Sequence, residues 1–262
     1  MRPFALASLL ALASFTLVAG ACNFKLGDDT EGEMGNLRFS YSGTGCFFGC
    51  GLDKKVLQGA TVSVSVSGDS QGGFHAAIDD GSPASVSTQT ETCTCNAKSG
   101  STSHSRIVQG SVSCESGETK SCSLSIELSA DHEGFSKLRV LDGKGAVVDQ
   151  VDVTTRSATR LDLTITAGGA MVTPTNGVYT MKAHTAGSVT AKALDGDGDE
   201  LYFTRDGLKF TYDDSNAIQS EGDAFFSANA DSFISLVGGD GSIDVSASGG
   251  AVHSVARIHF TK

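Results

Sequence analysis

The stretch Thr61-Val62-Ser63-Val64-Ser65-Val66-Ser67 alternates apolar and hydroxyl side chains without a break. Successive side chains on a strand point to opposite faces. This spacing therefore puts three valines on one side and Ser or Thr on the other, the signature of a strand with one face in a core and one in water. The same period of two recurs in Leu37-Arg38-Phe39-Ser40-Tyr41 and at Leu124, Ile126 and Leu128. It continues at Leu138 and Val140 and at Val147, Val151 and Val153, on either side of Asp142-Gly143-Lys144-Gly145. Asp-Gly between alternating runs signals a hairpin, because both turn residues tolerate positive φ. Helical periodicity is sustained almost nowhere in the chain.

Leu161, Leu163 and Ile165 close a first block, residues 37–166. The sequence TAGGAMVTPTNG that follows from Thr166 does not alternate, and residues 167–177 are predicted to be a linker. A second block, residues 178–262, opens with Val178-Tyr179-Thr180-Met181, passes through Val189, Ala191 and Ala193, and turns at Asp195-Gly196-Asp197-Gly198-Asp199. Its last strand places Val252, Ser254, Ala256, Ile258 and Phe260 on one face. Residues 215–230, which include Phe225 and Phe226, fit either a short helix or a strand. Leu141-Asp142-Gly143-Lys144-Gly145 and Leu194-Asp195-Gly196-Asp197-Gly198 echo one another, as one turn used at different points of the two blocks. Turns at intervals of roughly 8–12 residues, with 32 glycines and no tryptophan, predict an all-β chain of short strands. Removing the leader described next leaves about 240 residues, enough for two sandwiches.

The N-terminus has a different character. Arg2 precedes residues 4–18, where only Ala, Leu, Ser, Phe, Thr and Val occur, and small residues follow. That is a secretory signal peptide, residues 1–21, and its apolar run is shorter than the roughly 20 residues a membrane-spanning helix needs. Ala19-Gly20-Ala21-Cys22 closely resembles the bacterial lipobox. The resemblance implies cleavage just before Cys22, a diacylglycerol on its sulfur and an acyl chain such as palmitate on its amino group. Cys22 would then anchor the protein in a membrane, because two or more acyl chains hold stably where one holds marginally. Asn23 in place of Asp points by the same analogy to the outer membrane, facing the periplasm or the cell exterior. Residues 22–36 carry Asp28, Asp29, Glu31, Glu33 and three glycines and read as a flexible acidic tether.

Of seven cysteines, setting Cys22 aside leaves Cys46, Cys50, Cys93, Cys95, Cys114 and Cys122. An even set in an exported protein predicts disulfides, with fifteen pairings open. Cys93 and Cys95 share a strand face, which makes them poor partners for each other and better ones for neighbouring strands. Zinc is disfavoured, because paired C-x-x-C spacing and a nearby His pair are both missing.

The second block, VYTMKAHTAGSVTAKALDGDGDELYFTRDGLKFTYDD followed by FISLVGGDGSIDVSASGGAVHSVARIHF, resembles the bacterial group 2 Ig-like modules of adhesins and surface lipoproteins. The shared features are an early strand, an Asp/Gly hairpin, a strand ending at Tyr212-Asp213-Asp214, an alternating strand and a Val-rich last strand. VLQGATVSVSV and LSADHEGFSKLRVLDGKGAVVDQVDVTT resemble the module more loosely, and the cysteine-rich middle of the first block departs from it. The resemblance implies two tandem Ig-like β-sandwich domains after the signal peptide and tether, the first disulfide-rich.

Chemistry-bearing motifs are few. The net charge of −11, without Lys/Arg clusters, argues against a nucleic-acid partner. Gly68-Asp69-Ser70-Gln71-Gly72 matches G-x-S-x-G, but the following Gly73-Phe74-His75-Ala76-Ala77-Ile78-Asp79 is too strand-like for the helix of a nucleophile elbow, and no histidine lies upstream for a chymotrypsin-like order. Asp195, Asp197 and Asp199 share the carboxylate spacing of half an EF-hand, yet Glu200 stands where the glycine is required, so a solvated hairpin is favoured; these three are the candidate ligands should calcium bind. His253 and His259 fall on one face of a strand but about 20 Å apart. Asp131-His132-Glu133 reads as a polar turn. No catalytic residue and no cofactor is expected. The resulting expectation is a non-enzymatic, membrane-anchored envelope lipoprotein serving adhesion, envelope architecture, or protein or glycan recognition. The alternative is a disulfide-braced periplasmic accessory or inhibitor of an envelope enzyme.

Overall fold

A computed structural model describes residues 29–43, 46–68, 73–99, 102–109, 114–116, 118–204, 207–214, 217–223, 230–235 and 240–262. The fold is all-β, and the described residues contain no α-helix.

The alternating stretch Thr61-Val62-Ser63-Val64-Ser65-Val66-Ser67 lies in β5 (Thr61–Gly68), at the centre of its sheet. Val62, Val64 and Val66 are each at most 1% exposed and lie opposite Leu128, Ile126 and Leu124 of β9 (Glu118–Ala130). On the other flank Val66 and Val64 meet Phe39 and Tyr41 of β2 (Arg38–Gly43). Such cross-strand apolar pairs stabilise a sheet beyond the burial of each side chain. The rest of this sheet comprises β1 (Thr30–Glu31), β3 (Cys46–Cys50), β7 (Ala84–Ser99) and β8 (Thr102–Gln109), in the order β1-β2-β5-β9-β7-β8 with β3 on β2. Facing it are β4 (Val56–Leu57), β6 (His75–Ala77), β10 (Gly134–Leu141) and β11 (Val147–Arg156), ordered β4-β11-β10-β6. Leu138, Val140, Val151 and Val153 supply their side of the core.

A second sandwich follows. Its sheets are ordered β13-β12-β15-β18-β17 and β14-β20-β19-β16. The strands are β12 (Arg160–Ala167), β13 (Ala170–Val172), β14 (Val178–Lys182), β15 (Ala186–Leu194), β16 (Lys209–Tyr212), β17 (Ile218–Asp223), β18 (Ala230–Ser235), β19 (Gly241–Gly249) and β20 (Val252–Thr261). Ile165, Val189, Phe233, Ile243, Val245, Ile258 and Phe260 fill its core.

The two sandwiches share one topology. The path β2-β5-β9-β7 corresponds to β12-β15-β18-β17, and β4-β11-β10-β6 to β14-β20-β19-β16. In each, a short early strand runs parallel to the last strand, β4 beside β11 and β14 beside β20. This is the immunoglobulin arrangement of an A-B-E-D sheet on a G-F-C sheet, with an early strand added to the G edge.

The structure corrects the expected division of the chain. The expected flexible tether, residues 22–36, is folded over its described part, because β1 pairs with β2 and the N–H groups of Met34 and Asn36 donate to Asp149. The strand expected to close the first block, β12, pairs along its whole length with β15, from Arg160↔Leu194 to Ala167↔Gly187. The first sandwich therefore ends with β11, and residues 157–159 connect the two. The predicted linker 167–177 is a pair of tight turns around β13. Gly168 and Gly169 (φ 56° and 82°) join β12 to β13 as a two-residue hairpin, and Asn176-Gly177 (φ 53° and 79°) turns into β14. Gly-Gly and Asn-Gly accept positive φ at both positions, which this turn type demands. A glycine-rich run reads alike as a flexible connection or as hairpin turns, and tertiary pairing decides between them. In the ambiguous segment, β17 forms over Ile218–Asp223, while Phe225 and Phe226 lie outside the described residues.

The echoed loops prove geometrically equivalent. Asp142 Oδ1 accepts from the N–H groups of Lys144 and Ala146 (2.8 and 2.9 Å), and Asp195 Oδ1 from those of Asp197 and Asp199 (3.0 and 2.9 Å). Positive φ falls on the second glycine of each, Gly145 and Gly198. One loop joins β10 to β11 and the other follows β15, so the same turn serves different connections.

Candidate functional site

Beyond the level of Gly68↔Cys122, where β5 ends, β9 and β7 continue pairing to Ala97↔Glu118. Strand β8 pairs with β7 from Thr92↔Gln109 to Ser99↔Thr102. Three strands thus project past the sandwich as a finger. A projecting sheet needs its own core, and here sulfur provides it. Cys93 and Cys95, both fully buried, share a face through their alternation. Cys93 is bonded to Cys122 directly across the ladder, and Cys95 to Cys114 in the segment between β8 and β9. These cysteines form a small cluster separate from the two main cores. Cys50 is disulfide-bonded, whereas the side chain of Cys46 and all of Cys22 lie outside the described residues. Carboxylates approach the bridges, Glu91 near Cys93 and Cys122 and Glu118 near Cys95 and Cys114. Sulfurs joined to one another are not thiolate ligands. The finger also departs in charge. Residues 92–114 contain Lys98, His104 and Arg106 and no Asp or Glu, and with Glu115, Glu118 and Lys120 counted the finger carries a formal charge of +1 in a chain of net charge −11.

Asp195, Asp197 and Asp199 do converge, their ligand atoms lying within 4.8 Å of one another. A lysine occupies the space between them. Lys55, from the loop before β4, places Nζ 2.6 Å from Asp195, 2.7 Å from Asp199 and 3.4 Å from Asp197. The Asp195 carboxylate, then that of Asp199, holds the Lys55 ammonium well above its ordinary pKa. In turn the Lys55 hydrogen bond holds Asp195 below the usual carboxylate range. Sequence reasoning grouped the carboxylates but missed the lysine. No local signal marks Lys55, which lies 140 residues from Asp195.

A groove of about 600 Å³ lies between β6 and the start of β7, lined in part by Asp79, Asp80, Asp131 and His132. Two of these carboxylates are engaged structurally. Asp79 accepts hydrogen bonds from the two terminal guanidinium nitrogens of Arg139 (2.6 and 2.8 Å), which hold its carboxyl below the ordinary range. Asp131 accepts from the Ser85 hydroxyl at 2.8 Å. Within Asp131-His132-Glu133, Glu133 accepts from the Ser157 N–H at 2.7 Å, so this turn pins the connection between the sandwiches.

Residues 69–72, with Ser70, lie outside the described residues. Gly73 and Phe74 lead into the three-residue strand β6, where a nucleophile elbow would need a helix. His253 is exposed and His259 shares a hydrogen bond with Ser242 at 3.1 Å; their places on β20 keep the two imidazoles apart.

No protein-family model and no curated protein matches the chain. Among solved structures it is similar to domains 5–6 of the S-layer protein SbsC, at 13% identity and TM-score 0.28, over 80% of this chain and 93% of that one. It is similar to the C-terminal domain of the Streptococcus pyogenes antigen I/II-family protein AspA at 11% identity and TM-score 0.31, over 86% and 99%. The D0-D1 domain of intimin follows at 15% identity and TM-score 0.26, over 86% and 97%. The immunoglobulin arrangement of both sandwiches rests on their strand pairing.

Proposed function

We infer that this chain is a non-enzymatic envelope lipoprotein, held by acyl chains on Cys22 and joined to the first sandwich through the short segment that precedes β1, that uses the finger to recognise a protein or glycan. The observation that carries this reading is the finger itself. A sheet extended past its sandwich gains no apolar core, so it must be braced by other means, and two disulfides supply the bracing. Such bracing suits a pre-organised contact surface, since a rigid element loses less entropy on binding. The cationic bias of residues 92–114 fits a ligand bearing carboxylates, sulfates or phosphates. Lipobox and an even set of remaining cysteines suit an exported protein, with the outer membrane as the destination that Asn23 favours.

Two measurements test the reading. Metabolic labelling with a palmitate analogue is expected to mark the wild-type chain and to miss Cys22→Ser, which should leave the membrane fraction. Replacing residues 94–120 by a two-residue turn is expected to abolish binding to anionic glycan or acidic-peptide arrays while both sandwiches stay folded. Unlabelled wild-type protein would remove the anchor, and undiminished binding by the shortened chain would remove the finger. The same protrusion suits an accessory or inhibitor acting on an envelope enzyme in the periplasm. Digestion by protease added to intact cells supports outward display, and protection supports the periplasmic role.

A further inference from the structure

We propose that Lys55 is a resident internal cation that locks the two sandwiches into one rigid unit, filling the Asp195-Asp197-Asp199 nest from within the chain. The inference does not depend on the anchor or on the finger. Three carboxylates within 4.8 Å repel one another and need a positive charge among them. Lys55 Nζ lies at hydrogen-bonding distance from Asp195 and Asp199 and within ion-pairing distance of Asp197, so any metal ion would have to expel it. The Asp195 side chain is only 3% exposed and Lys55 only 23% exposed, which limits screening by water and salt.

The backbone on both sides of Lys55 belongs to the same joint. The Tyr202 N–H donates to the Lys55 carbonyl at 2.8 Å, and the Leu57 N–H donates to the Tyr202 carbonyl at 2.9 Å. Tyr202 of the second sandwich thereby pairs in parallel with Val56 and covers the outer edge of β4. Its ring stacks on Tyr41 of the first core at a centroid distance of 4.4 Å. Thr204 donates its hydroxyl to the Thr61 carbonyl at 2.5 Å. Leu161, Ala191, Leu201, Phe203, Leu208 and Ala247 pack into the apolar cluster of the first sandwich. Apolar contact resists separation, but it does not by itself set a register. An ammonium that must meet carboxylates on the neighbouring turn sets the hairpin's position against β4.

The test uses the whole chain with Lys55→Met, which keeps the aliphatic stem and removes the charge, and Lys55→Arg, which retains the charge. Wild type is expected to unfold in one cooperative transition and to give the scattering profile of a single rigid particle, both unchanged by millimolar calcium or by chelator. For Lys55→Met the midpoint is expected to fall by roughly 5 °C, the transition to split in two and the average particle to lengthen, whereas Lys55→Arg keeps one transition. Should Lys55→Met fail to fold, Asp197→Asn with Asp199→Asn, at residues 81% and 64% exposed, is expected to loosen the joint instead. A wild-type midpoint that rises with calcium would make a metal the resident cation. A rigid, single-transition Lys55→Met, or a rigid double asparagine variant in its place, would equally overturn the proposal.

Discussion

Asp149 is fully buried on the inward face of β11 and keeps its charge there. Its carboxylate accepts four backbone N–H groups, those of Met34 (2.9 Å), Asn36, Leu37 and Gln150 (2.8 Å each). The loop between β1 and β2 is thereby wrapped around one side chain. Gly32 is required in that loop, because a Cβ there would lie 2.3 Å from the carboxylate. Burial pushes the carboxyl pKa up, but the N–H groups of Met34, Leu37, Gln150 and Asn36 together outweigh it and hold the group below 3.8, its ordinary value. A carboxylate with a depressed folded pKa contributes stability that is complete above the unfolded pKa and disappears as pH falls through the folded one. Asp149→Asn removes an acceptor and leaves buried N–H groups unpaired, with an expected loss of about 2–4 kcal/mol at neutral pH. Denaturant unfolding at pH 7 and at pH 3 checks this, since the gap between variant and wild type should narrow in acid. Asp149 was legible in part, because the period that turns Val151 and Val153 inward also turns Asp149 inward. Its partners Met34, Asn36 and Leu37 were not legible, because they lie 112–115 residues away.

At the scale of the element, period-two alternation located β5, β9, β10, β11 and β20 because each strand's two environments are written into neighbouring residues. Alternation does not say which sheet a strand joins. The residues of β12 would present the same apolar face to either sandwich, and only the pairing with β15 assigns it. The finger shows the converse, in that Cys93 and Cys95 revealed their shared face while their partners depended on register and on the chain's return after β8. Because sulfur forms the finger's core among the described residues, reduction is expected to melt it selectively. Hydrogen exchange after treatment with a reductant should show lost protection at Thr94, Cys95, Asn96 and throughout β8. Protection at Val62, Val64 and Ile126 should be retained, since valine and leucine contacts hold those strands. Simultaneous loss in both regions would mean that the bridges support the whole first sandwich. Each bridge closes a loop of moderate length, 29 and 19 residues in sequence separation, and contributes about 3–4 kcal/mol in the chain-entropy account.

For the whole molecule, the revised boundary has a direct consequence. A fragment of residues 157–262 is expected to fold with a sigmoidal melting transition, and one of residues 178–262 to remain unfolded. The shorter fragment lacks β12, so β15 loses eight cross-strand partners and the second core loses Ile165. Circular dichroism of the two fragments decides the matter, and a folded 178–262 would restore the boundary expected from the linker reading. The sequence by itself determined that the chain is all-β, where most strands run, which cysteines share a face and where the Asp-Gly turns fall. Each of these depends on residues a few positions apart, and strand geometry repeats every two. Tertiary structure alone decided that β12 belongs to the second sandwich, that sulfur forms a separate core, and that Lys55 meets the three aspartates. Those are contacts between residues far apart in the chain, selected by which apolar faces can be buried together and which charges must then be compensated.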